Sequence, residues 1–270
     1  MTELTFDQNF VKKNERILDY VRKNNLMKDY REYSLDDLLT KYQHLPEKTA
    51  LLGLAGQDSP VLFDLEDTKP QSILFANDHL PSLRRLMMVM INSITQYNRP
   101  DQIQYLIVSE YPDKWTEYIQ KFDPQFDFCS GIVGGYETVA EDWVLYLSQL
   151  ADARHHGRQL GPTILFFMDD LNQLEQLDVQ VRLNYEWLVR NGAKVQVWPL
   201  AGINLENQLV MEKYGQQFKT RIIGQTDEKV LLPYKKAFPP ALINQLKPNR
   251  NFMTRIGSEW IQFWVPKLHS

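Results

Sequence analysis

The chain has 270 residues, enough for one large domain, and its 43% hydrophobic and 24% charged residues are typical of a globular protein with a sizeable core. Its net charge of −4 and pI of about 5.8 disfavour a nucleic-acid partner. Nucleic acid could bind only through a local basic patch. The single cysteine, Cys129, excludes an internal disulfide and a cysteine-based metal site, and suits a reducing compartment.

Residues 1–45 are predicted to form a helical lead-in to the main domain, residues 46–270. Residues 7–24 have the pattern of an amphipathic helix, with Phe10, Ile17, Leu18 and Val21 on one face. Ser34 is followed by two aspartates, which is typical of a capping residue at the start of a second helix.

The beginning of the chain also bears on where the protein is found. Its first 20 residues are charged throughout and contain no apolar signal core. No apolar run approaches the roughly 20 residues that span a bilayer. We therefore expect a cytoplasmic protein that does not insert into a membrane.

Downstream of the lead-in, short apolar strands alternate with helices. Strands are predicted at 60–65, 72–76, 103–108, 126–133, 163–168 and 194–201. Helices are predicted at 79–97, 113–122, 137–156, 171–190 and 204–217. Such alternation is typical of βαβ units, so we expect an α/β fold whose mostly parallel central sheet has helices on both faces.

The last part of the chain has a different pattern. Close-set strands are predicted at 220–224, 229–232, 251–256 and 259–265. Gly257 and Ser258 separate the final two strands and suit a hairpin turn. We therefore expect antiparallel C-terminal strands at the edge of the sheet.

The clearest chemical signal is a pair of carboxylates that follows the most apolar strand, 163–168. Asp169 and Asp170 come directly after it. Ligands of open α/β sheets bind beyond the carboxyl ends of the strands, and two carboxylates there have the form of a Walker B element that holds Mg²⁺ through water. The pattern alone leaves open the alternative that Asp170 only caps the next helix.

A triphosphate site of this kind also needs a phosphate-binding loop. The pattern G-x-x-x-x-G-K-[ST] supplies backbone donors, a lysine for the phosphates and a hydroxyl for Mg²⁺. It occurs nowhere in the 270 residues. Gly131, Gly134 and Gly135 follow a strand, but Glu137 comes next, which favours a plain strand-to-helix turn over a phosphate cradle.

The order of these elements resembles that of the FtsK/SpoIIIE-type ATPases of the HerA/FtsK superfamily. PVLFDL at 60–65 and SILFA at 72–76 stand where that family has the two strands before its Walker A loop. PTILFFMDDL at 162–171 is similar to its Walker B strand, and FKTRIIG at 218–224 to a later segment that contains an arginine. The resemblance covers residues 34–266 and implies a RecA-like P-loop NTPase fold.

The resemblance also assigns positions to individual residues. It implies that Asp169 takes the Mg²⁺-water position, that Asp170 takes the place of the catalytic glutamate, and that Arg221 is the family's arginine. The family's Walker A octapeptide corresponds here to Asn77, Asp78, His79, Leu80, Pro81, Ser82, Leu83 and Arg84. No glycine remains, and the lysine and Ser/Thr positions are Leu83 and Arg84.

Several parts of the nucleotide site therefore depart together from the family pattern. Asp78 places negative charge where a triphosphate would lie, and Pro81 removes a backbone donor. Gly202 stands where the family has a glutamine after its next strand. These departures predict a degenerate Walker A site and a pseudo-ATPase for which no cofactor is expected.

By resemblance to degenerate modules of type VII secretion ATPases, we expect a structural component of a motor, translocation or secretion assembly. Its partner would be a protein, either an active FtsK-like motor subunit or a secreted substrate. The alternative is a divergent ATPase that holds Mg²⁺ through Asp169 and ATP through Arg84 and Arg85. A DNA-translocase component is a third reading, which the acidic pI does not favour.

Without a metal, Asp169 would be a buried carboxylate that needs a positive charge nearby. A guanidinium can supply that charge with a planar fork that fits a carboxylate. The resemblance implies that Mg²⁺ would lie between Asp169 and the Ser/Thr position, which is Arg84 here. Arg84 or Arg85 is therefore predicted to pair with Asp169 within about 4 Å, in place of the ion. Adjacent residues face different sides of a helix, so only one can do so, and Arg84 is favoured. The alternative is that both arginines are solvated.

Overall fold

The computed structural model describes residues 33–43, 45–56, 58–234, 238, 243–244 and 246–268. The amphipathic helix predicted at 7–24 lies outside these residues. The described end of the lead-in contains helix α1 (Leu35–Lys41). Ser34 Oγ accepts a hydrogen bond from the Asp37 N–H, and the Asp37 carboxylate accepts one from the Ser34 N–H, so the predicted cap is confirmed as a capping box.

Ten strands and six further helices follow α1 in the described part of the chain. The strands are β1 (Thr49–Ala55), β2 (Ser59–Asp64), β3 (Ile73–Asn77), β4 (Ile103–Ser109), β5 (Cys129–Gly134), β6 (Thr163–Met168), β7 (Val197–Asn204), β8 (Thr220–Gly224), β9 (Asn251–Ile256) and β10 (Glu259–Trp264). The helices are α2 (Leu80–Tyr97), α3 (Pro112–Ile119), α4 (Thr138–His155), α5 (Val179–Asn191), α6 (Gln208–Lys213) and α7 (Glu228–Leu231).

All ten strands belong to one sheet, in the order β2-β1-β10-β9-β8-β3-β7-β6-β4-β5. The strands from β8 to β5 are parallel to one another, whereas the pairings from β2 to β8 are antiparallel. The predicted α/β fold with a mostly parallel sheet is therefore confirmed. The C-terminal hairpin is antiparallel as predicted, but β1 and β2 continue the sheet beyond it, so it lies inside the sheet rather than at its edge.

The parallel strands are buried because helices cover both of their faces. Alternate side chains of one strand point to opposite faces, so Phe166 packs with the cluster that contains α4 and α5, and Phe167 with the cluster that contains α2 and α3. Strands β3 and β6 are buried at every position. None of the described helices is both long enough and apolar enough to cross a membrane.

Two strand predictions are corrected by the structure. The strand predicted at 229–232 is wrong, because this segment forms α7 and a following turn. The Asp227 carboxylate accepts from the Lys229 N–H and starts the helix, while the position beside β8 is taken by β9. In the segment predicted as a strand at 194–201, the strand begins only at Val197. The preceding residue, Gln196, has a φ of 62°, in the left-handed region, which a strand does not adopt.

Other boundaries also differ from the predictions. The single helix predicted at 171–190 is a 3₁₀ helix, Leu171–Gln176, followed by α5. The break falls at Asp178, whose carboxylate accepts from the Gln180 N–H and caps α5. Helix α6 is shorter than the predicted 204–217, and β1 is absent from the predicted elements.

Candidate functional site

The candidate site lies at the carboxyl end of the parallel strands, where ligands of open α/β sheets bind. Asp169 directly follows β6, and Ser109 is the last residue of the neighbouring strand β4. Helix α2, which follows β3, brings Arg84 to the same place, and α3, which follows β4, brings Trp115.

Asp169 is fully buried and accepts four hydrogen bonds. Its Oδ2 accepts from Arg84 Nε at 2.7 Å, from Ser109 Oγ at 2.6 Å and from Trp115 Nε1 at 2.9 Å. Its Oδ1 accepts from Gln173 Nε2 at 3.0 Å. The predicted ion pair between Asp169 and Arg84 is therefore confirmed, and it is reinforced by three neutral donors.

Arg84 is held in place by more than its partner. Its guanidinium carbon lies 4.8 Å from the centre of the Tyr111 ring, and Lys114 Nζ lies 4.6 Å from the same ring. The side chain is 12% exposed, and its Nη2 is buried without a hydrogen-bond partner among the described residues. Tyr111 thus packs against the guanidinium of the ion pair.

Arg85 occupies a different environment from Arg84. Its positive charge lowers the pKa of Tyr118 on α3, although burial has the larger effect and raises that pKa to about 12. The four hydrogen bonds that the Asp169 carboxylate accepts include one from Arg84 and none from Arg85, which agrees with the expectation that only one of two adjacent arginines pairs with it.

Asp170 caps the 3₁₀ helix that follows it. Its Oδ1 accepts from the Asn172 N–H at 3.0 Å, which is the bond that the alternative reading of this residue predicted. Asp170 is 4% exposed, and this burial raises the pKa of its carboxyl group above the ordinary value of 3.8.

Strand β3 and helix α2 are joined by only two residues, Asp78 and His79. Two hydrogen bonds within the chain fix this connection. Asn77 Oδ1 accepts from the His79 N–H at 3.0 Å, and Asp78 Oδ2 accepts from the Asp227 N–H, also at 3.0 Å. Leu83 is buried in the core. The segment aligned with the phosphate loop is therefore a strand end, a short connection and the first turns of a helix.

Arg221 is not brought to this site. It lies on β8 opposite Leu74, three positions before the end of β3 at Asn77. Its Nη2 donates to the Gln216 carbonyl, and its guanidinium carbon lies 6.0 Å from the centre of the Phe238 ring. The family role that the resemblance implies for Arg221 stays a prediction.

The residues in this arrangement do not fit a bound Mg²⁺. Asp169 has no exposed surface, and Arg84 supplies the positive charge beside it. The glutamine that the family has at position 202 does not fit here either, since a Cβ at Gly202 of β7 would lie 2.3 Å from the Asp169 carbonyl oxygen.

Three partners of Asp169 are not among the residues that the sequence singles out. Ser109 has a weak signal, because it is a polar residue at the end of an apolar strand. Gln173 stands four positions after Asp169, and Trp115 looks like an ordinary core residue of a helix. None of these patterns identifies a contact with a particular carboxylate.

Comparison with known proteins finds similarity at the level of the fold. The pCW3 conjugation coupling protein TcpA, in its monomer form with ATPγS, has a TM-score of 0.66 and 15% identity, and the match covers 88% of this chain and 70% of TcpA. The cytoplasmic domain of EssC has a TM-score of 0.66 and 14% identity, with coverage of 99% and 55%. No protein-family model and no curated protein matches the sequence.

A third structure contains ATPases 2 and 3 of EccC from Thermomonospora curvata in complex with a signal sequence peptide. Its TM-score is 0.61 at 11% identity, and the match covers 85% of this chain and 43% of that chain. This chain thus spans about half of the EssC and EccC chains. The ATPase-domain fold that the FtsK/SpoIIIE resemblance implies is confirmed, and at these identities the likeness concerns the fold alone.

Proposed function

We propose that this chain is a component of a motor assembly in which an ATPase-type domain serves as a structural or partner-binding module and does not turn over ATP. The observation that carries the proposal is the ion pair between Arg84 and Asp169, at 2.7 Å in a buried setting. In this site a guanidinium of the chain itself takes the place that a metal ion would need.

The energetics of the site support this proposal. A metal-bound nucleotide would have to displace Arg84 from Asp169, which breaks a charge-assisted hydrogen bond worth about 1.5–3 kcal/mol. The lysine and backbone donors of a phosphate loop, each worth about 1.5–3 kcal/mol in a charge-assisted hydrogen bond, are missing from the sequence. We therefore expect no ATP binding tighter than about 1 mM.

Calorimetric titration of the full chain with Mg-ATP tests the proposal, together with a phosphate-release assay. We expect no saturable heat and no hydrolysis. Asp169→Asn provides the control. A site that holds nucleotide through a metal at Asp169 would lose its affinity on this change, whereas a chain that does not bind Mg-ATP gives the same result with and without the substitution. Micromolar binding that depends on Mg²⁺ and Asp169 would overturn the proposal in favour of a divergent ATPase.

The proposed partners are proteins, either an active motor subunit or a transported substrate. The similar folds support this choice, because they belong to a conjugation coupling protein and to secretion ATPases, one of them in complex with a signal sequence peptide. A protein partner needs a surface to bind, and the described part of the chain offers one at the end of its sheet.

A further inference from the structure

Strand β5 ends the sheet beside β4, and no described residue pairs with its outer side. Its sequence, CSGIVG, contains no charge and no proline, the features that usually protect an open strand edge. The Gly135 N–H donates to the Ser109 carbonyl of β4. Because successive N–H groups point to opposite sides of a strand, the Ile132 N–H points outward.

Helix α4 beside this strand is apolar on two faces. One face, which includes Ala140, Val144 and Leu147, is buried against the sheet. A second stripe consists of Val139, Trp143 and Tyr146, at the spacing of one helix face. A helix with an apolar face in solvent usually buries that face against a partner.

This second stripe adjoins the open strand. A Cβ at Gly131 of β5 would lie 3.5 Å from the Trp143 ring, so the ring lies over the strand. Tyr136, in the connection before α4, is 69% exposed, and Tyr146 is 50% exposed. We call the outer side of β5 together with Tyr136, Val139, Trp143 and Tyr146 the β5 edge surface.

The charges around the β5 edge surface decide what kind of partner it fits. The segment 136–146 contains Glu137, Glu141 and Asp142 and no basic residue. Glu141 accepts from the Asp178 N–H, while Glu137 and Asp142 are exposed. A second copy docked symmetrically would set these carboxylates against their own counterparts, which is unfavourable. The surface therefore suits a partner that carries Lys or Arg.

We propose that the β5 edge surface binds an extended, basic segment of another protein, which adds to the sheet as a strand beside β5. The segment's backbone would pair with the outer side of β5. Its side chains at alternate positions would face α4, where apolar ones would cover Trp143 and Tyr146 and Lys or Arg would lie near Glu137 and Asp142. This inference names the partner class of the proposed function and rests on it, but it does not depend on the state of the nucleotide site.

The test measures, by fluorescence anisotropy, binding of the full chain to a fluorescein-labelled ten-residue peptide. Threonine occupies every second position of this peptide, and valine and lysine share the positions between, so that both can face α4. A matched peptide has glutamate in place of lysine, and a second is N-methylated at every backbone position, so that neither of its edges can donate. We expect the lysine peptide to bind and the glutamate peptide to bind at least about tenfold more weakly. The N-methylated peptide should not bind, because it cannot pair with a strand.

Variants of the chain then locate the binding surface. Tyr136→Ser with Tyr146→Ser should weaken binding about tenfold, whereas Leu160→Ser with Leu209→Ser, which removes two exposed apolar side chains elsewhere, should leave it unchanged. Glu137→Lys with Asp142→Lys should reverse the preference and favour the glutamate peptide. Thermal unfolding confirms that each variant is folded, which is expected because all the changed side chains are exposed.

Three results would overturn the inference: equal binding of the lysine and glutamate peptides, binding that survives N-methylation, or binding that is indifferent to the tyrosine variants. No binding to the wild-type chain would overturn it as well. Each of these is distinct from failure of the proposed function, which appears as Mg-ATP binding in the calorimetric titration.

Discussion

Asp169 shows how a buried carboxylate is stabilised by the chain itself. Three neutral donors and one guanidinium meet its two oxygens, and the guanidinium is in turn fixed beneath Tyr111. A buried ion pair of this kind adds little net stability by comparison with an apolar pair, but the loss of one partner is costly because the other charge remains buried.

We expect Arg84→Ala to destabilise the protein by about 2–4 kcal/mol, since it leaves Asp169 buried without its counter-charge. The double variant Arg84→Ala with Asp169→Asn should recover about 1 kcal/mol or more, because the stranded charge is removed. Urea unfolding measures both effects. Arg99→Ala serves as the control: Arg99 pairs with Asp101 on the exposed surface, so its loss should not measurably change the free energy of unfolding.

A second prediction concerns the pH dependence of stability at Asp170. Burial raises its folded-state pKa above 3.8, so folding favours the protonated form, and this contribution is lost as the pH rises through the raised pKa. Asp170→Asn keeps an oxygen that can accept from the Asn172 N–H but removes the charge. The free energy of unfolding of the variant relative to wild type should therefore increase as the pH rises above the ordinary aspartate pKa of 3.8.

Urea unfolding across this pH range is the measurement. Asp178→Asn provides the matched control, because Asp178 caps α5 in the same way but is exposed. If Asp170→Asn loses stability relative to wild type as the pH rises, the charged form of Asp170 is favoured by the fold and the prediction is wrong.

The sequence predicts part of this site and not the rest, for physical reasons. The pairing of Arg84 with Asp169 could be predicted because the family resemblance places the Ser/Thr position, here Arg84, opposite Asp169, and because an unpaired buried charge is costly. The contacts of Ser109 and Trp115 depend on which strand lies beside β6 and on how α3 is rotated. Those are long-range properties that no local pattern contains.

The same contrast holds for the helices and strands. The buried parallel strands and the long helices have strong local patterns, and β6 has the predicted bounds. Strand β1, with the sequence TALLGLA, is rich in alanine, leucine and glycine, which have little preference for strands. It becomes a strand because β2 and β10 hydrogen-bond to its two sides. β2 follows β1 directly, but β10 lies near the other end of the described chain, so no local pattern indicates that pairing.

The junction between β1 and β10 depends on a close approach of two backbones at Gly53. A Cβ at this position would lie 2.0 Å from the Trp264 carbonyl oxygen. We expect Gly53→Ala to destabilise the protein by about 2 kcal/mol or more, because the two strands must separate to make space. Thermal unfolding measures the change.

Gly161→Ala is the control for this prediction, since a Cβ there meets only the end of the Arg154 side chain, at 3.0 Å. We expect it to have a much smaller effect. If Gly53→Ala and Gly161→Ala lower the unfolding temperature equally, the close approach of β1 to β10 does not exclude a side chain at position 53, and the prediction is wrong.

The net charge of −4 leads to a prediction about nucleic acid. Affinity for DNA comes mainly from phosphate contacts with basic side chains. We expect binding to duplex and single-stranded DNA no tighter than the nonspecific range of about 10⁻⁴–10⁻⁶ M at physiological salt. Fluorescence anisotropy at two salt concentrations is the measurement. Nanomolar affinity with a steep salt dependence would support the DNA-translocase reading instead.

The close packing at Gly202 also limits how this protein can change. A glutamine at position 202 would require β7 to move away from Asp169, because even a Cβ would overlap the Asp169 carbonyl oxygen. A lysine at position 83 would have to leave the core, and a serine at position 84 would take the guanidinium away from Asp169. Each of these changes made singly should therefore lower the stability of the fold, so sequences that carry one of them are disfavoured.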